Sequence, residues 1–353
     1  MRTVFWVLVL VCTLCNGARA ESGWRVETFT LQSTYLRENK LNLALERVIW
    51  VWLPPGYDAS DKRYPVIHYI HNYAWTARQM HEVEHIGDVF QRALERGKTN
   101  EFIFVVGDYR ATHTPGTFCG NNSVVGNWWD YTADELVSAV DERYRTLPDK
   151  DSRGLAGDFT GGYCAMRVAM ERPGVFSSVY ALHPVGTGTA SGDEELISYP
   201  NWLELNTATS YDFLASTDGF TQAFLLMAQS HAPDLANPPF FANFMVKLKD
   251  GELVQDPEAI DQVRRNFMMA NRIEQSVPAL MQLRGLMFDW GRKDPNFGHV
   301  KGNRELTRTL DEYDVPHFSE EYRGSEWSEK WIEHGRVEDR MLPFFKRFLV
   351  SGQ

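Results

Sequence analysis

The chain is 353 residues long, carries a formal net charge of −11 at pH 7, and is 43% hydrophobic with 13% aromatic residues. The acidic balance argues against nucleic acid or anionic lipid as a partner, and solubility alone accounts for it. A chain of this size can bury a large core, and one domain with an insertion fits it better than two.

The first feature in chain order is a secretory signal pattern over residues 1–20. Arg2 is its basic start, Val4 to Leu14 its apolar core, and Ala18-Arg19-Ala20 its small-residue cleavage site. The apolar run is too short to span a bilayer, and leucine stands before Cys15 where a lipoprotein site needs a small residue. The mature protein is therefore expected to begin at Glu21, to form one domain over residues 21–353, and to be secreted or periplasmic without membrane insertion. Cleavage removes two arginines and no acids, taking the formal charge from −11 to −13. It leaves Cys119 and Cys164, which in an oxidising compartment either pair or remain two buried thiols. Asn121-Asn122-Ser123 is a glycosylation sequon, meaningful in a eukaryotic source.

Strands are expected at Val26–Thr30 and Glu46–Trp52. Val66–His71 and Phe102–Val106 are continuous apolar runs of the buried parallel type. Helical patterns follow at Arg78–Arg96 and Ala133–Tyr144, then a strand near Leu155, a helix from Gly162 and a strand Ser178–Leu182. Leu286–Trp290, a helix Arg304–Tyr313, a strand Phe318–Tyr322 and a closing helix Lys330–Leu349 complete the alternation, which implies an α/β protein with a largely parallel sheet covered on both faces. Between about residues 185 and 278 the alternation lapses into a segment rich in Trp, Phe, Met, Asn and Pro. It contains no repeat or low-complexity tract.

The most informative stretch is Gly157-Asp158-Phe159-Thr160-Gly161-Gly162, between an apolar run and a helical one. Strand, tight turn and helix are the context of the G-x-S-x-G nucleophile elbow, in which small residues let the chain bend sharply under one exposed side chain. Together with Val51-Trp52-Leu53-Pro54-Pro55-Gly56-Tyr57, Arg63-Tyr64-Pro65-Val66-Ile67, Gly126-Asn127-Trp128, Tyr144-Arg145-Thr146-Leu147 and Met341-Leu342-Pro343-Phe344-Phe345, it makes the chain from about Leu45 to Leu349 resemble the esterase D-like family. That family includes S-formylglutathione hydrolases, feruloyl esterases and mycolyltransferases. The resemblance implies an α/β-hydrolase fold, with a mixed, mostly parallel sheet, helices on both faces and a cap made by the insertion.

The resemblance also implies a Ser-His-Asp triad, and here the chain departs from it. Phe159 stands at the nucleophile position, Asp294 matches the acid, and Glu326 falls where the histidine belongs; His317 and His334 are eight or nine residues out of register. Phenylalanine cannot attack a carbonyl, and a glutamate beside Asp294 is a like-charge pair that cannot act as an oriented base. Thr160 sits where the family uses a backbone N–H and is a poor substitute nucleophile. The oxyanion loop reads His71-Asn72-Tyr73-Ala74-Trp75 in place of glycines. Its backbone donors survive such a change, while Tyr73 and Trp75 narrow or cover the pocket.

His71, Tyr73, Trp75, Trp129, Asp158 and Thr160 are accordingly the expected ligand-binding residues. Convergence of Asp158, Asp294 and Glu326 beside His71 suits a hard cation or an organic amine, or else each carboxylate is satisfied internally; no metal and no cofactor is assigned. His81-Glu82-Val83-Glu84-His85 fits the zinc-protease H-E-x-x-H pattern, but beside an esterase frame it reads as an adventitious histidine pair. The resulting expectation is an exported pseudoenzyme that binds a small molecule, carbohydrate or phenolic ester in a remodelled pocket. The alternatives are a hydrolase working through non-standard residues, a carboxylate pair included, and a scaffold that binds a protein through the cap.

Overall fold

The computed structural model of the protein describes residues 23–111, 114–189, 191–325 and 329–352, with the backbone alone over 191–194. The signal pattern, Cys15 and Glu326 lie outside the described residues.

Eight strands form one sheet: β1 (Arg25–Gln32), β2 (Glu46–Leu53), β3 (Val66–Ile70), β4 (Ile103–Val106), β5 (Arg153–Asp158), β6 (Ser178–Leu182), β7 (Gly285–Gly291) and β8 (Phe318–Tyr322). Their order is β1-β2-β4-β3-β5-β6-β7-β8. β1 pairs antiparallel with β2 and β2 with β4, and every later pairing is parallel. The central strands are buried along their whole length, as both-face coverage demands. This is the α/β-hydrolase arrangement. Apolar clusters fill both sides of the sheet, one around Leu155, Phe176 and Trp128, the other around Tyr69, Phe104 and Tyr180.

The run Arg78–Arg96 is not one helix. Val83 and Glu84 both donate to the Gln79 carbonyl, ending α1 (Ala77–Glu82), and His85 takes φ 47° before α2 (Ile86–Glu95) begins. The two histidines of the H-E-x-x-H pattern therefore do not share a helical face, and His81 packs against the Trp50 and Trp52 rings. The expected closing helix likewise shortens: Lys330 to Gly335 runs outside helix, and the helix that follows opens with a π-type segment, Val337–Met341, before the α-helix Leu342–Phe348. Between Leu182 and Gly285 the chain leaves the sheet. There it forms short helices, the longer Gly219–His231 and Pro257–Asn266, and a hairpin pairing Val246–Lys249 with Glu252–Gln255.

Cys119 and Cys164 are disulfide-bonded, 45 residues apart in sequence. The bond ties the loop after β4 to the helix behind the elbow. Closing a loop of this length restricts the unfolded chain and contributes about 2–4 kcal/mol. Reduction, or the Cys119→Ala/Cys164→Ala double change, is expected to lower the unfolding free energy by that amount in guanidinium titration; an unchanged midpoint would show that the bond contributes nothing. Asn121 in the sequon uses its side chain internally: Nδ2 donates to Asp130 at 3.0 Å and Oδ1 accepts the Trp129 N–H at 2.7 Å.

Candidate active site

β5 ends at Asp158 and the helix Thr160–Glu171 starts two residues later, so Phe159 alone makes the turn. Its backbone adopts φ 54°, ψ −113°, a sparsely populated conformation for a residue with a Cβ. Hydrogen bonds hold it there: Phe159 N–H donates to Leu182 O at 2.9 Å, and Phe159 O accepts the Tyr163 N–H at 3.0 Å. Close approach explains the small residues around it. A Cβ on Gly161 would stand 1.9 Å from the Ile70 carbonyl oxygen, and one on Gly157 would stand 2.3 Å from Gly161 O. The elbow thus keeps its strained form around a side chain with no nucleophilic atom. Thr160 opens the following helix, so its N–H has no intrahelical acceptor and remains the donor an oxyanion would meet. The Thr160 hydroxyl is fully buried and unpartnered among the described residues, away from the cleft wall.

Phe159 forms part of the wall of a cleft beside the elbow. The other walls are Tyr73 from the oxyanion loop, Phe118, and Phe220, Phe224, Met227 and Phe267 from the segment above the sheet; His299, Asn296 and Glu195 supply polar atoms. The Phe159 and Tyr73 rings both line the cleft, with centroids 6.0 Å apart.

Beneath the cleft, Asp294 gathers two histidines. Gly291 N–H donates to His183 Nδ1 at 3.0 Å, which places the ring proton on Nε2, and Nε2–H donates to Asp294 Oδ2 at 2.7 Å. His299 Nδ1 lies 2.8 Å from the same oxygen and donates to it, while Asp294 Oδ1 accepts the Asn296 N–H at 2.8 Å. Burial opposes ionisation of Asp294, but the bonds from His183 and His299 outweigh it and hold the carboxylate well below its usual range. His183 is pushed down by burial, against the pull of Asp294. A neutral His299 in this pose carries its lone pair on Nε2. Its ring meets Phe159 edge-on with centroids 5.1 Å apart.

The donor atoms of His183, Asp294 and His299 lie within 4.8 Å of one another, yet they fit a cation poorly. A metal on His183 Nε2 would force the proton onto Nδ1, facing the Gly291 N–H. The set is a hydrogen-bonded relay.

The expected site residues separate into two groups. Tyr73 and Phe159 line the cleft, and Asp294 lies beneath it. Asp158 points away, accepting from Tyr69 Oη at 2.9 Å, Asn72 Nδ2 at 2.7 Å and the Lys330 ammonium. His71 is buried, donating from Nδ1 to Asn72 O at 3.0 Å and accepting the Tyr109 N–H on Nε2 at 3.3 Å, so neither nitrogen is available to a ligand. Trp129 is half-buried under the Arg167 guanidinium, and neither it nor Trp75 lines the cleft. Asp158 and Asp294 therefore satisfy their charges in separate networks. His317 stacks on Phe288, and His334 sits in an exposed ion-pair cluster. His183 and His299 were not among the expected residues. The legible signal for His299 was its place five residues after the acid, behind Asn296 as helix cap.

Comparison with known proteins identifies the family and the fold. The family described as Putative esterase matches residues 42–225. The chain belongs to that family. Two curated relatives from Mycobacterium tuberculosis, both named esterases, are 26% identical over 160 residues, 45% of this chain and 32% of theirs, so the chain covers about a third of their length. Among solved structures, a ferulic acid esterase superposes with a TM-score of 0.61 at 19% identity, covering 93% of this chain and 99% of that one. An S-formylglutathione hydrolase from Agrobacterium tumefaciens gives 0.55 at 13% identity, covering 93% and 97%. The feruloyl esterase module from Clostridium thermocellum gives 0.55 at 11% identity, covering 94% and 92%. These likenesses carry the fold.

Proposed function

We propose that this esterase-family protein has lost serine hydrolysis and binds a ligand in the cleft beside the elbow. The single observation that carries the reading is Phe159. It holds the elbow conformation, its ring is cleft wall, and it offers no atom that can form an acyl intermediate. The lining favours an apolar aryl or acyl group over a free sugar, because five phenylalanines and two methionines outnumber the polar side chains Tyr73, Thr187, Glu195, Asn296 and His299. The ligand's polar end is a hydroxyl or N–H donor facing His299. Export is part of the proposal, supported by the N-terminal signal pattern and by the Cys119–Cys164 bond, which an oxidising compartment maintains. Among the described residues no helix is long and apolar enough to cross a membrane.

The test is fluorophosphonate labelling of the unaltered protein read by intact mass, beside an active serine esterase as control. No adduct is expected. A stoichiometric adduct would overturn the reading and point to a serine elsewhere. Ligand binding is checked separately, by a melting shift with phenolic esters, whose hydroxyl supplies the donor, and none with simple sugars.

A further inference from the structure

We propose that the site's base has moved. His299, in the first turn of the helix Phe297–Glu312, takes the part that a histidine after β8 plays in the resemblance, so that Phe159 alone separates this cleft from a working nucleophile. This rests on the reading of Phe159 as a lost nucleophile and goes beyond it.

Three observations meet here. First, the orientation is that of a base: Nδ1–H is spent on a carboxylate that also positions the ring, leaving Nε2 as the acceptor. Second, the orienting carboxylate is itself over-determined. Asp294 and His183 have side chains only 1% exposed, and Oδ2 takes a second bond from His183, whose tautomer Gly291 enforces. A carboxylate surrendered to drift would keep no such support. Third, His299 is the one member of the relay that reaches the cleft, with its side chain 16% exposed, and the elbow side chain packs on its ring. Glu195 accepts the Gly298 N–H and caps the same turn, fixing the backbone that carries His299.

With a serine at the elbow the step is ordinary. The hydroxyl oxygen attacks the phosphorus of a fluorophosphonate, its proton passes to His299 Nε2, a P–O bond forms, and the P–F bond breaks with fluoride leaving. Asp294 and His183 position the base and hold the resulting imidazolium, and the Thr160 N–H meets the developing oxyanion.

The experiment compares Phe159→Ser, Phe159→Ser/His299→Ala, Phe159→Ser/His299→Gln and Phe159→Ser/Glu326→His, each checked for folding by circular dichroism and melting. Phe159→Ser alone is expected to label stoichiometrically. Adding His299→Ala or His299→Gln should slow labelling at least about 100-fold, as loss of a general base does, with partial recovery of the alanine variant in free imidazole. Adding Glu326→His should change the rate less than about threefold. The proposal is overturned if Phe159→Ser stays unlabelled while folded, if the His299 variants label as fast as their parent, or if labelling requires Glu326→His. Labelling of the unaltered protein would instead overturn the proposed loss of hydrolysis, so the two failures are distinguishable.

Discussion

Stability is expected to fall steeply as pH drops below about 6.5. The cause is a set of histidines buried in neutral form. His68, in the middle of β3, has neither ring nitrogen hydrogen-bonded among the described residues, and burial with Arg153 nearby lowers its pKa to about 3. His71, His183 and His231 are likewise pushed down, burial being the main cause in each. A histidine whose folded pKa lies below its unfolded value takes up its proton only in the unfolded chain. Between about 6.5 and the folded pKa, each such group therefore costs about 1.4 kcal/mol of stability per pH unit as pH falls. Paired carboxylates act lower: the half-buried Glu320 and the buried Glu338 are each lowered to about 2 by their cationic partners, against desolvation. The stability they add is present above the unfolded carboxylate pKa and is lost only as pH falls through their own values. Against a typical total of about 5–15 kcal/mol, the histidines alone should bring the unfolding midpoint well above pH 3. Melting temperature measured from pH 8 to pH 4 checks this, with His68→Phe expected to flatten the slope by about one proton. The His68 ring meets Phe176 edge-on at 5.7 Å, in surroundings that accept a second aromatic ring. A melting temperature flat between pH 7 and 5 would refute the argument.

How far the sequence foretells this protein depends on the range of the interaction. Runs such as Val66–Ile70 and Ser178–Leu182 announce buried strands because both faces must be apolar, and the elbow announces itself because its packing tolerates only small residues. Both are local. The relay is not. His183 stands just past a strand end with φ 45°, and nothing in its neighbours reveals that Gly291, more than a hundred residues on, fixes its tautomer. His299 was hidden by the helix start: Phe297 is 50% exposed and Gly298 is a weak helix former, so apolar periodicity begins only near Arg304. The expected convergence of Asp158 with Asp294 rests on the family resemblance. In a strand, however, successive side chains point to opposite faces, and the partner of Asp158, Lys330, lies in a stretch that reads as helix but is not.

That last partnership carries the second large expected effect. Lys330→Met should destabilise the protein by about 3–5 kcal/mol at pH 7, the cost of leaving one charge of a buried pair unpaired. The Asp158 and Lys330 side chains are 4% and 8% exposed. Burial works against the Asp158 charge, but Lys330, Asn72 and Tyr69 outweigh it and keep the carboxylate below its usual range. Without the ammonium, desolvation prevails and the folded pKa rises above the unfolded one. Stability from that group is then fully present below the unfolded value and lost as pH rises from it to the raised folded one, so the deficit of the variant should shrink toward pH 4. Adding Asp158→Asn to Lys330→Met removes the orphaned charge and should recover part of the loss. The consequence reaches the cleft through Asn72, whose Nδ2 is held by Asp158 while its Oδ1 accepts the N–H groups of Ala74 and Trp75 at 2.8 and 3.0 Å. Loosening that side chain frees the loop that carries Tyr73 to the cleft wall, so ligand-induced melting shifts should weaken in Lys330→Met and return in the double variant. Urea titrations of the three proteins at pH 7 and pH 4 decide it. A loss under about 1 kcal/mol in the single variant, the size of an exposed pair, would mean that Asp158 is held by its neutral donors and that the oxyanion loop does not depend on the ammonium.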